Sequence, residues 1–183
     1  MKKDFTVAFN ALERLKEGNK IYINSTKGVG DVSSEKRLDT YKNGQHPFAV
    51  IVSCSDSRVI PEAIFSAGIG DLFVIRVAGN VVGNLELGSI EYAVEHLGCR
   101  LVLVLGHTCC GAVDAALKQN DGFVKHITDE IKRAIGSECD TVRASVLNVQ
   151  QSVGKIKDAF STNGLLVAGA LYRTESGVVD FID

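Results

Sequence analysis

Four short runs of the chain hold apolar residues side by side without alternation: Pro47 to Ser53, Asp71 to Val77, Leu101 to Leu105 and Leu165 to Tyr172. A strand with one face in water alternates apolar and polar side chains, because successive residues point to opposite faces. Unbroken runs rich in Val, Ile and Leu therefore mean strands covered on both faces, the condition of a parallel sheet between helices. The intervening segments carry helical spacing. Phe5, Ala8, Phe9, Leu12 and Leu15 mark one face of a helix over 4–19, with Gly18 as its stop. Short helical pieces are predicted near 34–42 and 61–65, a helix over Ser89–Leu97 ended by Gly98, another over 112–118, and weaker helical periodicity over 123–160. Residues 177–181 add a short fifth strand after a turn. The expected fold is one α/β domain over 1–183, with a mostly parallel four- to five-stranded sheet flanked by helices. Residues 1–44 form an N-terminal helical arm and 45–183 the core.

A chain of 183 residues can bury a core without staples. Its 20 Lys+Arg against 22 Asp+Glu leave a net charge of −2 with no block of either sign, which argues against a nucleic-acid or acidic-lipid partner. The longest mainly apolar stretches fall far short of the roughly 20 residues of a membrane span. Polar residues from Asp4 to Arg14 interrupt any secretory leader, so a cytoplasmic protein is expected. Five cysteines, Cys54, Cys99, Cys109, Cys110 and Cys139, make an odd and uneven set. That pattern suits reduced thiols acting as metal ligands or nucleophiles, not a disulfide framework.

Two cysteine motifs follow two of the apolar runs: Cys54-Ser55-Asp56-Ser57-Arg58 and His107-Thr108-Cys109-Cys110-Gly111. Ligands of open α/β sheets bind outside the carboxyl ends of the strands where the winding reverses. If these two strands are neighbours, Cys54, His107 and Cys110 converge. Two thiolates and one imidazole suit Zn²⁺, one per chain, and three protein ligands with a fourth position free is the pattern of catalytic zinc. His-x-x-Cys spacing at a helix start turns His107 and Cys110 to one point and leaves Cys109 pointing away. Chance occurrence of both motifs in this composition is on the order of one or two in a thousand.

Side chains two apart in an extended segment point the same way, so Asp56 and Arg58 can pair bidentately, keeping the carboxylate ionised and oriented. Zinc neutralised by two thiolates is a weaker Lewis acid than zinc on three imidazoles. A carboxylate that accepts a hydrogen bond from the metal-bound hydroxide would aim it for attack. Released by Arg58, Asp56 could instead swing onto the metal and close the site.

The two motifs, together with Gly106, Ala112, Gly70–Arg76, Ala78-Gly79-Asn80, Ser89–Val94, Gly169–Tyr172 and Ser176-Gly177, resemble the β-class carbonic anhydrases over roughly residues 45–180. The resemblance implies zinc-dependent, reversible hydration of carbon dioxide to bicarbonate and a proton. It implies zinc on Cys54, His107 and Cys110, and Asp56 with Arg58 as the catalytic dyad. Gln45, Phe73 and Tyr92 match residues lining the substrate pocket, and Gly111 offers a backbone N–H beside the metal. The family builds that pocket across a dimer, which implies a homodimer or dimer-based tetramer with the N-terminal helix on its partner. Val77 and Arg173 depart from the family's usual Asn and Asp. Ile51 stands where the bicarbonate-regulated branch has Trp, so no such regulatory site is expected. A related zinc hydrolase of carbon disulfide or carbonyl sulfide, and a non-catalytic zinc or redox module using Cys109-Cys110, are the competing readings. His46, His96 and His126 lack ligand-like spacing, and Gly28-Val29-Gly30 is too short for a phosphate loop.

Overall fold

In the computed structural model, which describes residues 4–25, 30–118 and 122–182, the apolar runs become strands β1 (Ala49–Ser53), β2 (Leu72–Arg76), β3 (Leu101–His107) and β4 (Leu166–Tyr172), joined by β5 (Val179–Ile182). Their order is β2-β1-β3-β4-β5, all parallel except the antiparallel β5. The chain winds from β1 outward to β2, then crosses back to place β3 on β1's other side. The winding therefore reverses between β1 and β3, as the two motifs require. The Gly28 and Val29 of the discarded phosphate loop lie outside the described residues.

The central strands are buried throughout. Leu101, Leu103 and Leu105 of β3, with Ala49 and Ile51 of β1, pack toward Ala11 and Leu15 of helix α1 (Thr6–Asn24) and Ile64 of α3 (Pro61–Ile64). Val102 and Val104 of β3, with Val50 and Val52 of β1, pack toward Ile90 of α4 (Asn84–Glu91) and Val149 and Ile156 of α7 (Thr141–Ala159). The Leu-Val-Leu-Val-Leu run thus sorts its larger residues to one layer and its smaller ones to the other. Each fully buried Leu or Val is worth about 1.5–3 kcal/mol, so truncating Leu103 would cost several times the stability of any surface contact. A third cluster closes the carboxyl end of the sheet, where Val113 and Ala116 of α5 (Gly111–Ala116) meet Ile131 and Ile135 of α6 (Lys125–Ile135) and Ala144 of α7. Helix α2 (Ser34–Asn43), capped by the Ser33 hydroxyl, buries none of its residues.

Among the boundaries that differ from the sequence reading, three have a cause in the packing or at the site. Helix α1 runs through Gly18 to Asn24, because Gly18 is a contact point and not a stop. A Cβ there would lie 1.9 Å from the Phe65 carbonyl oxygen. Next to it, buried Asn19 donates to the carbonyls of Ile64 (3.2 Å) and Gly177 (2.9 Å) and accepts from the Val179 N–H (3.0 Å), tying α1 to its own subunit. Helix α4 begins five residues before Ser89, since the Glu86 carboxylate reaches back to accept from the Gly83 N–H at 2.9 Å. It continues as a wider π turn over Tyr92–His96, and the Cys99 N–H bonds the Ala93 carbonyl (3.1 Å) across left-handed Gly98. Strand β3 extends to His107, so the imidazole projects from a rigid strand end.

Candidate metal centre and active site

The strand neighbours β1 and β3 bring their motifs together. The donor atoms of Cys54, His107 and Cys110 all lie within 4.8 Å of one another, and all three residues are buried. Ligand atoms of a tetrahedral zinc stand roughly 3.5–3.8 Å apart, so the cluster needs only small side-chain adjustments to enclose one ion. Cys110 caps the start of α5. Cys109 is exposed and holds a left-handed backbone (φ 55°), which turns its side chain outward and Cys110 inward.

His107 is set for metal binding by its own backbone. Its Nδ1 lies 2.9 Å from the Thr108 carbonyl oxygen, so Nδ1 carries the proton and Nε2 the lone pair. Nε2 is buried with no hydrogen-bond partner among the described residues. A buried acceptor left unpaired costs about 1–3 kcal/mol, and a cation between two thiolates is the group that would satisfy it. The donor set therefore fits zinc.

Two backbone N–H groups point at the Cys54 sulfur, from Gly79 at 3.2 Å and Asp56 at 3.4 Å. The neighbouring Cys110 thiol does most to pull the Cys54 thiol well below its ordinary range; burial opposes this, and His107 and the two N–H groups assist. The same pairing, with burial, pushes Cys110 up, because two adjacent buried sulfurs resist both carrying charge. A divalent cation between them would let both be thiolates.

At the rim, Arg58 grips Asp56 in a fork: Nε to Oδ1 at 2.9 Å and one terminal nitrogen to Oδ2 at 2.8 Å, with the Arg58 N–H on Oδ1 at 2.9 Å. This grip holds the Asp56 carboxyl far below the usual carboxylate range despite partial burial. The same Arg58 nitrogen donates to the Cys109 carbonyl at 3.0 Å, lacing the two motifs together. Gly111, the first residue of α5, is exposed beside Cys110.

Gln45, Phe73 and Tyr92 are not brought to this cluster. Gln45 is exposed before the start of β1, and Phe73 pairs in register with Val50 near the amino end of the sheet. Tyr92 stands with its ring centroid 6.1 Å from Phe73, 47% exposed. From Ala49 to Ser53 the strand alone rises about 13 Å, which separates Gln45 from Cys54 of the same chain.

Two further residues at the site escaped the sequence reading. Arg76, at the end of β2, donates from Nε to the Cys54 carbonyl (3.2 Å) and from a terminal nitrogen to the Asp56 carbonyl (2.7 Å), fixing the loop between ligand and carboxylate. A cation closing an apolar strand was the available signal. Thr108 is buried and its hydroxyl is saturated: it donates to Glu175 (3.0 Å) and accepts from the Thr174 N–H (3.0 Å) and the Thr174 hydroxyl (2.9 Å). It thereby pins the His107 loop to the β4–β5 turn.

A family model described as carbonic anhydrase matches residues 49–179. "Carbonic anhydrase 2" of Mycobacterium tuberculosis is 36% identical over 185 aligned positions, covering 91% of this chain and 89% of that protein. The crystal structure of a β-carbonic anhydrase of Aspergillus fumigatus superimposes with a TM-score of 0.74 at 31% identity, covering 81% of each chain. A structure from Sordaria macrospora, one of two described as tetrameric β-carbonic anhydrases, shares the fold with a TM-score of 0.72 at 24% identity, covering 97% of this chain and 96% of that one.

Proposed function

Since the chain belongs to the β-carbonic anhydrase family, whose general reaction is carbon dioxide hydration, we propose that it interconverts carbon dioxide and bicarbonate at a zinc held by Cys54, His107 and Cys110. The observation that carries this reading is the buried His107 Nε2, oriented by Thr108 and unpaired between two cysteine sulfurs. Zinc bound there would acidify a water molecule and present it as the nucleophile.

The chain's own groups do the rest. Asp56, ionised and fixed by the Arg58 fork, accepts a hydrogen bond from the attacking oxygen and so directs its lone pair at the substrate carbon. Arg76 keeps Asp56 at a set distance from Cys54 through their shared loop. The Gly111 N–H, next to Cys110 at the start of α5, is the backbone donor that would polarise a carbon dioxide oxygen as charge develops. Arg58 is the device that holds Asp56 off the metal.

Gln45, Phe73 and Tyr92 complete the pocket of a second copy. Their position away from the Cys54 cluster, with Gln45 and Tyr92 exposed and Phe73 partly buried beside Tyr92, is what supports this. The assembly on this reading is a homodimer or a dimer-based tetramer. The cytoplasm suits it, because thiolate ligands need reducing surroundings.

Stopped-flow carbon dioxide hydration, with zinc counted per chain on wild type and Asp56→Ala, tests the proposal. The expected result is about one zinc in both and fast turnover in wild type alone. Wild type that carries zinc yet hydrates carbon dioxide no faster than buffer, or prefers carbonyl sulfide or carbon disulfide, overturns it.

A further inference from the structure

Helix α7 carries a polar stripe on its buried side. Asn148, Ser152 and Lys155, spaced i, i+4 and i+7, lie on one helical face. Each donates to a successive carbonyl of a single segment: Asn148 Nδ2 to Gly79 at 2.7 Å, Ser152 Oγ to Asn80 at 3.2 Å, and Lys155 Nζ to Val82 at 3.3 Å. Asn148 and Ser152 are each 3% exposed. A buried helix face ordinarily presents aliphatics, yet this one presents donors aimed at one turn.

That turn, Ala78–Asn80, has one product at the metal centre: the Gly79 N–H on the Cys54 sulfur at 3.2 Å. Gly79 is left-handed (φ 69°), and a Cβ there would stand 2.8 Å from Ile131 Cδ1 and 3.0 Å from Ala112 Cβ. Its peptide orientation is therefore a free choice of the glycine unless something fixes it. The Gly79–Asn80 peptide is held on both sides, by the Asn80 N–H on the Val77 carbonyl at 2.9 Å and by Asn148 on the Gly79 carbonyl, and the Asn148 contact anchors from the α7 side the residue whose N–H faces the sulfur.

We propose that Asn148 is a positioning residue for the metal ligand Cys54. By anchoring Gly79 it keeps the N–H···S hydrogen bond made, which withdraws charge from the thiolate and holds the sulfur in place for zinc. Ser152 reinforces the same turn one residue on. Lys155 bonds the segment further away and has no part in the sulfur contact. The inference rests on the reading that Cys54 binds zinc.

The test uses the full-length holoprotein. Zinc release to a chromophoric chelator is timed, and the sulfur-to-metal charge-transfer band is recorded after Co²⁺ replaces zinc. Asn148→Ala is expected to release zinc about tenfold faster, the scale of effect of outer-shell partners on metal sites. Its band should move to lower energy, because a thiolate that loses a donor is easier to oxidise. Ser152→Ala should shift both in the same direction by less, and serves if Asn148→Ala does not fold. Lys155→Ala should leave the band in place even where it lowers the melting temperature. An unchanged band and release rate in Asn148→Ala, or in Ser152→Ala if that variant alone folds, overturns the inference while leaving the zinc site standing. Equal band shifts in Lys155→Ala and Asn148→Ala also overturn it, since that would mark general loosening. A wild-type chain with no thiolate-to-cobalt band overturns the site and the inference together.

Discussion

The two ends of the sheet differ in how they finish themselves. At the carboxyl end, the polar groups around the unpaired His107 Nε2 find partners within the chain: Arg58 and Arg76 bind carbonyls, Thr108 is saturated, and Gly79 faces Cys54. At the amino end, Val7 is 64% exposed and Tyr92 47%, and an open groove of about 330 Å³ runs between Ala11, Pro47, Phe48 and Cys99. The first end is preorganised to hold an ion. The second is largely apolar surface that a single chain leaves in water, where the proposed second copy would seat.

The sharpest way to break the contrast is at the self-sufficient end. His107→Ala should lose its zinc, measured by metal analysis, and carbon dioxide hydration should fall by about 10³-fold or more. Asp56→Ala should keep zinc but lose about 10²-fold in rate, because attack is no longer directed. Next in size is a test of the unfinished end. Gln45→Ala and Cys110→Ser should each be poor catalysts alone, but mixing and re-equilibrating them should restore about a quarter of wild-type sites, in mixed dimers. No recovery in a confirmed mixed dimer would place Gln45 outside the pocket.

Smaller is the acid dependence of the dyad. Asp56 has its folded pKa lowered by Arg58, so its contribution to stability is present above the unfolded value of about 3.9 and is lost as pH falls through the folded one. Melting curves of wild type and Asp56→Asn should therefore differ by a constant amount from pH 7 to about 5 and converge below about 4. A gap that closes near neutrality would mean another group titrates. Smallest of all, Cys109→Ala should leave zinc content unchanged, because its side chain faces outward.

The sheet was legible because β1 and β3 are apolar without alternation, and nothing but burial on both faces explains such a run. His107 and Cys110 were legible because three residues across a strand-to-helix turn can face one point. What could not be read depends on carbonyls, which the sequence does not display. Arg76 looked like a strand-end cation until its two acceptors were in view. Asn148, Ser152 and Lys155 carry a spacing that ordinarily marks the wet side of a helix, and only the docked Gly79–Val82 segment makes it a buried one. Gly18 misled for a related reason: glycine ends helices by its backbone freedom, but here its missing side chain serves a close approach.

Asn19 binds Ile64, Gly177 and Val179, so one side chain near the start of the chain joins residues 45, 158 and 160 positions later. Helix α1 is made before β5, so the Asn19 amide can meet Ile64 early but lacks its full set of partners until residues 177–179 have been made. Asn19 is thus a latch between α1 and the β4–β5 turn, and shortening the chain just before Gly177 would leave the latch open.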